Sequence, residues 1–184
     1  MSRHPAIEQC QIVDRHRLQR LLSRARSSDE RNSLERKIAD SVRLSEARRS
    51  GLPEIHYPAE LPVSGKAEEI IGLIQKHQVL VVAGETGSGK STQLPKMCLQ
   101  AGQGVFGQIA HTQPRRIAAR AISARLAEEL KLEVGSGVGY RVRFDEKCSK
   151  SDYIRVLTDG MLLAEAQTDR FLNQYDTILV DEAH

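Results

Sequence analysis

Apolar and polar positions change rhythm twice along these 184 residues. Residues 8–25 and 28–49 read as two helices, the second with Leu34, Ile38 and Val42 at helical spacing and Arg and Glu on its other faces. Ser27-Ser28-Asp29-Glu30 has the form of a capping box, in which the Ser27 hydroxyl and the Glu30 carboxylate satisfy free backbone N–H groups at a helix start. Gly51 is placed to stop that helix, and Pro53, Pro58 and Pro62 then discourage helix at themselves and at the residues before them. Beyond this linker the pattern becomes an alternation: helix 64–77, strand 78–83, helix 90–101, strand 105–111, helix 115–131, strands 138–144 and 153–157, helix 159–167 and strand 176–181. VLVVA and TILV are apolar throughout, as parallel strands covered on both faces should be. The pattern predicts an α/β domain over 64–184, a proline-containing linker over 53–63 and a helical region over 1–52.

Composition narrows the class. With 40% hydrophobic residues the chain is long enough for one globular domain and an appendage. A formal charge of +3 conceals an asymmetry, because residues 1–52 hold twelve Lys/Arg against seven Asp/Glu and residues 53–184 hold fifteen against seventeen. The basic helices read either as a solvated hairpin or as a contact for RNA, a ribonucleoprotein or the ribosome. They carry no catalytic motif, so removing 1–52 is expected to leave the chemistry of the rest intact. Cys10, Cys98 and Cys148 are odd in number and lack the CxxC spacing of a zinc site or disulfide framework, which favours a reducing compartment. No apolar stretch is long enough to span a bilayer and the N-terminus lacks the apolar run of a secretory signal, so a cytoplasmic location without a membrane partner is expected. Tryptophan is absent and aromatic content is 4%, which argues against a platform for stacked bases.

The chemistry is concentrated in GETGSGKST. Gly84, Glu85, Thr86, Gly87, Ser88, Gly89, Lys90, Ser91 and Thr92 match the phosphate-binding loop, and an apolar run before the loop with a helical pattern after it is the context that supports the match. Glycines let successive backbone N–H groups converge on phosphate oxygens, and the following helix turns its positive end to the same anion. Lys90 supplies a charge for the outer phosphates, the Ser91 hydroxyl a ligand for Mg²⁺, and Thr92 a contact to an inner phosphate. In YDTILVDEAH, Asp181 stands at the carboxyl end of an apolar strand, where open α/β sheets bind ligands. Asp181 and Glu182 divide into a metal carboxylate and a base for the water that attacks the γ-phosphate, with Glu182 close enough in sequence to share in the metal site.

GETGSGKST, TQPRRIAAR, TDGMLL and DEAH resemble motifs I, Ia, Ib and II of the DEAH-box helicases, in that order. GYRVRFDEK, residues 139–147, is similar to a further segment of that family, and the whole resembles the N-terminal part of the bacterial HrpA-like RNA helicases up to motif II. The resemblance implies a P-loop NTPase with a RecA-like parallel sheet, of which this chain holds an incomplete first helicase lobe. It also implies ATP, or another NTP, with Mg²⁺ as cofactors. Thr112, Gln113, Pro114, Arg115 and Arg116 lie at a strand-to-helix junction where backbone N–H and guanidinium groups could hold RNA phosphates. Arg115 and Arg116 sit at a helix start, where cations are disfavoured unless an anion compensates them. Thr158, Asp159 and Gly160 form a second such junction, and only the family pattern makes it a backbone-contact site rather than an ordinary helix cap. His184 resembles the residue that couples the nucleotide site to later motifs, while Arg125 reads by default as a surface helix arginine.

The expected function is NTP-driven translocation on single-stranded RNA, with duplex unwinding or ribonucleoprotein remodelling. RNA rather than DNA rests on the resemblance alone. The rivals are a DNA translocase, another P-loop ATPase, or a non-catalytic nucleic-acid-binding piece. The resemblance also implies a middle strand between VLVVA and TILV that the 184 residues do not contain, so the chain by itself is expected to be inactive.

Overall fold

A computed structural model describes residues 4–183. His184, assigned above a coupling role, lies outside the described residues. A parallel sheet is built from β1 (Gln108–Gln113), β2 (Glu133–Val134), β3 (Gly137–Val142), β5 (Ile154–Thr158) and β6 (Tyr175–Val180), in the order β2-β3-β5-β1-β6, while β4 (Asp145–Lys147) folds back antiparallel on β3. One face carries α4 (Lys90–Gln100) and α5 (Arg116–Glu129) over a core that includes Leu99, Ile109, Leu126, Val138 and Ile154. The other face packs Ala110, Leu157 and Tyr175 beneath Met161 and Leu162 of α6 (Asp159–Thr168). The α/β prediction therefore holds, with helices on both faces of a mostly parallel sheet.

The expected strand at 78–83 does not form. No strand is assigned between His77 and Ser88, although the side chains there still alternate. Leu80 and Val82 pack against the cluster of Val63, Ala67, Ile70 and Met97, which joins α3 (Ala67–Lys76) to α4, whereas Val79 and Val81 are 79% and 87% exposed. Among the described residues β6 pairs only with β1 and its other edge is free, and its Ile178 and Val180 side chains are exposed. An extended segment becomes a strand only when a neighbour takes its backbone groups. Among the described residues, 78–83 has no such neighbour and β6 has one on a single side. The short strands β2 and β4 had no periodic signal in the sequence.

At the other end of the sheet, α1 (Ile12–Leu22) and α2 (Ser28–Ser50) enclose a small core of Ile7, Cys10, Leu18, Leu34 and Ile38. The capping box is present: Ser27 Oγ accepts from Glu30 N at 3.1 Å and Glu30 Oε2 accepts from Ser27 N at 3.4 Å. The helix expected over 8–25 is broken at Cys10 and Gln11 into a 3-10 turn, Pro5–Gln9, and α1. The break serves tertiary bonds, since Gln11 Nε2 donates to Ser45 Oγ at 2.7 Å and Val105 O at 2.8 Å, and Ile12 N to Phe106 O at 2.8 Å.

Arg48 completes the attachment. Its guanidinium is buried over the Tyr153 ring and donates to the carbonyls of Gly104, Gly107, Ser151 and Asp152, while Tyr153 Oη donates back to Arg48 O at 2.9 Å. Gly51 ends α2 in a close approach, where a Cβ would stand 3.1 Å from Tyr153 Oη and 3.2 Å from Ala47 O. These carbonyls belong to the loops that enter β1 and β5. The basic helices are thus neither a free hairpin nor a detachable arm. Several of their arginines serve the fold: Arg15 and Arg49 lie over the Phe106 ring, Arg17 pairs with Asp14, and Arg43 with Asp40.

Candidate active site

The carboxyl ends of the strands form one edge, and the strand order arranges its contents. Moving across it, the β3–β4 turn comes first, then Thr158-Asp159-Gly160 after β5, Pro114-Arg115-Arg116 after β1, and Asp181-Glu182 after β6. The phosphate loop faces the last of these.

In the loop, Gly87 and Gly89 take φ values of +83° and +92°, a region that favours glycine. A Cβ on Gly89 would also stand 2.9 Å from Leu61 Cδ1. Gly89 caps α4 without any side-chain bond, and the first turn of α4 holds no acidic residue, so its N–H groups point to a site suited to an anion. Lys90 Nζ donates to Gly84 O at 2.6 Å, Glu85 O at 2.7 Å and Ser88 Oγ at 3.2 Å, which holds the ammonium inside the loop. Thr92 Oγ1 bonds Gly89 O at 3.3 Å. Between the loop, residues 80–83 and α3 lies a mainly apolar groove of about 500 Å³, lined in part by Val63, Ile70, Leu73 and Val82.

Asp181 is the best-held carboxylate of the edge. The His111 imidazole above all, with the Ser91 hydroxyl and the Gln113 amide, keeps it well below the usual carboxylate range, against the opposing effect of burial. Gln113 Nε2 donates to Asp181 Oδ2 at 2.6 Å, and His111 Nε2 lies 3.6 Å from the same oxygen. Ser91 acts on the same carboxylate, so the hydroxyl and the carboxylate expected to share a magnesium ion stand near one another. An ionised carboxylate beside a hydroxyl, open towards a phosphate loop, is a hard-oxygen donor set of the kind Mg²⁺ uses, with phosphate and water completing its shell. The residues fit. Glu182 is exposed at φ +50°, with its N–H turned onto Asp181 Oδ1 at 3.0 Å. A non-glycine residue in that region costs about 1–3 kcal/mol, and such strain is concentrated at functional sites.

The junction after β1 divides differently from the sequence expectation. Thr112 and Gln113 are buried, and only Pro114, Arg115 and Arg116 are exposed. The side chains of Thr112 and Gln113 are turned into the fold, because β1 is the second strand of the sheet from its β6 edge and lies between β5 and β6. Arg115 caps α5 without a side-chain bond. At the β5 junction Asp159 and Gly160 are exposed and Thr158 is half-buried, again without a side-chain cap. Arg125 is an exposed helix arginine bonded to Glu128 and Glu129.

The β3–β4 turn lies inside GYRVRFDEK, which the resemblance marked only as a family segment, with none of its residues expected at the site. Phe144 is 89% exposed at φ +69°, with the Arg143 guanidinium 4.8 Å from its ring centroid. The sequence pattern ran one strand through 138–144, so Phe144 read as a strand residue rather than the tip of a turn.

No family model matches the chain. Individual relatives do. It is 57% identical over 146 residues to the ATP-dependent RNA helicase HrpA of Escherichia coli (strain K12), covering 79% of this chain and 11% of that protein. It is 62% identical over 130 residues to the HrpA homolog of Haemophilus influenzae, covering 71% of this chain and 10% of that protein. The crystal structure of the Escherichia coli DEAH/RHA helicase HrpB superposes with a TM-score of 0.62 at 34% identity, over 68% of this chain and 16% of that one. The chain belongs to the DEAH family of RNA helicases. It spans about a tenth of the length of the HrpA relatives it matches. Among the described residues, no helix is long and apolar enough to cross a membrane.

Proposed function

We propose that this chain forms the nucleotide-binding part of an ATP-dependent RNA helicase, one that couples hydrolysis of ATP or another NTP to movement along single-stranded RNA. The single observation that carries the reading is the edge itself, where a phosphate loop and an ionised Asp181 stand beside a row of exposed strand-to-helix turns. The names of the HrpA relatives give the same activity for those proteins.

In this reading Lys90 and the loop N–H groups bind the phosphates, and Ser91 and Asp181 hold magnesium, with Glu182 as a further candidate ligand. When bound, the ion would neutralise charge on the transferring phosphoryl group. Glu182 orients the attacking water and accepts its proton. Arg115 and Arg116, with the N–H groups at Pro114-Arg116 and Thr158-Gly160, hold RNA phosphates and position the strand without reading its sequence. Phe144 and Arg143 add a ring and a cation suited to one unstacked base. The basic helices lie at the opposite end of strands about 20 Å long. A ribonucleoprotein contact through their exposed Arg20, Arg24, Arg26 and Arg31 would be separate from the translocating site.

The test is ATP hydrolysis by the full-length protein carrying this sequence, with matched RNA and DNA single strands and salt-titrated binding to each. Hydrolysis stimulated by RNA and not by DNA is expected. Equal stimulation by DNA would favour a DNA translocase, and none by either would leave another kind of P-loop ATPase.

A further inference from the structure

β1 separates the two halves of the edge, and its last side chain faces the nucleotide half. His111 and Gln113 are two residues apart and point to the same sheet face, and the parallel register that pairs His111 with Leu179 and Thr112 with Val180 brings Gln113 beside Asp181. The Gln113 amide is buried. One of its hydrogens goes to Asp181 Oδ2 at 2.6 Å, and the nitrogen lies 3.1 Å from His111 Nε2. On its other side Gln113 pairs with Thr158, the residue that opens the second exposed turn. The residue after it begins Pro114-Arg115-Arg116. Gln113 is thus bonded to the metal carboxylate, paired with one exposed turn and continuous in sequence with the other.

We propose that Gln113 is a positioning residue for magnesium rather than a nucleic-acid contact: its amide fixes the rotamer of Asp181, and a shift of β1 at the arginine turn reaches Asp181 through this bond. A donor that orients a ligating carboxylate typically changes metal affinity or activity by 10–100-fold when removed. Because the turn and the carboxylate share one strand end, RNA on the turn and magnesium nucleotide on Asp181 should each alter the other's affinity by the same factor. The magnesium and RNA roles are those of the proposed function, and the controls below test them separately.

The experiment uses the full-length protein with Gln113→Met, which keeps the length of the side chain and removes the donor. Three quantities are read: the Mg²⁺ concentration that half-saturates binding of a fluorescent ADP analogue, nucleotide-free affinity for a single-stranded RNA, and the change in that affinity when a magnesium ATP analogue is added. The expected pattern is a rise of about tenfold in the Mg²⁺ requirement, RNA affinity within about twofold of the parent, and loss of most of the nucleotide effect on RNA binding. An unchanged Mg²⁺ requirement would overturn the proposal, and so would a fall in nucleotide-free RNA affinity to match that of Arg115→Ala. Should the Met variant fail to fold, Gln113→Asn keeps the amide one methylene short of Asp181 and must show the same pattern. Lys90→Ala should lose nucleotide binding and Arg115→Ala should lose RNA affinity whatever Gln113 does. If either control fails, the proposed function is at fault; if both hold and Gln113→Met behaves as the parent, only the Gln113 link is wrong.

Discussion

Lys96 Nζ lies 2.6 Å from Glu129 Oε2, joining the helix that starts at the phosphate loop to the end of the helix that starts at the exposed arginines. The ammonium is 1% exposed and also donates to His56 O at 2.6 Å. Gln93 Nε2 reaches the same carboxylate at 3.0 Å while bonding Thr92 Oγ1, and Arg125 Nε holds the other oxygen at 2.7 Å. One carboxylate therefore ties α4 to α5 at the edge of the apolar core they share.

Glu129→Ala should lower stability by about 3–5 kcal/mol, because it leaves a buried ammonium without its counter-charge. Denaturant unfolding measures this. Burial opposes the charge of Glu129, but the bonds from Lys96, Gln93 and Arg125 prevail and hold it below its ordinary 4.5. Its ionisation therefore contributes stability that is complete above that value and is lost as pH falls below it. The gap between parent and Glu129→Gln should narrow as the pH is lowered from 6 to 3, and a constant gap would refute the ion pair.

Arg48→Ala should cost about 2–4 kcal/mol, since the carbonyls at Gly104, Gly107 and Asp152 lose a buried partner. Arg48→Lys should not restore it, because an ammonium cannot reproduce the planar fork. Removing residues 1–52 should likewise lower the melting temperature, although these residues carry no catalytic motif. A truncated protein that melts as the parent does would show that these contacts carry no stability.

Lys90→Ala should abolish nucleotide binding. Glu182→Gln should keep nucleotide and RNA binding while turnover falls by about 10²–10⁴, the range supplied by a positioned base. Binding lost in step with turnover would make Glu182 structural.

Phe144→Gly separates fold from function at the β3–β4 turn. It removes a side chain held at φ +69°, which costs an L-residue about 1–2 kcal/mol, so stability should hold or rise. RNA binding should weaken by about 1–3 kcal/mol, the value of one stacked base. Calorimetry and fluorescence anisotropy read the two effects, and unchanged RNA affinity would remove Phe144 from the interface.

The 184-residue chain alone should show no RNA-stimulated hydrolysis. Among the described residues, 79–83 has no strand partner and β6 has a free edge, and exposed apolar strand edges invite association. Concentration-dependent aggregation is expected in light scattering. A monomer that hydrolyses ATP faster with RNA would refute this.

The sequence alone determined the elements whose cause is local. The glycines of the phosphate loop, the Ser27–Glu30 box and the strand-forming patterns around β1, β5 and β6 carry their conformations in residue type and spacing, so helices and parallel strands could be placed within a few residues. The carboxylate at the end of β6 and the arginines at the start of α5 were legible for the same reason. Tertiary structure decided everything that depends on a neighbour. VLVVA has the composition of a central strand, yet it does not become one without a partner for its backbone. Gln113 looks like part of an RNA-binding turn, but the β1–β6 register turns its amide onto Asp181. Arg48 looks like one more surface charge on a basic helix and is instead buried among the carbonyls of two loops. Pattern fixes which backbone conformation a segment prefers, whereas burial and hydrogen-bond partners come from residues far away in the chain, whose distances only the packed fold sets.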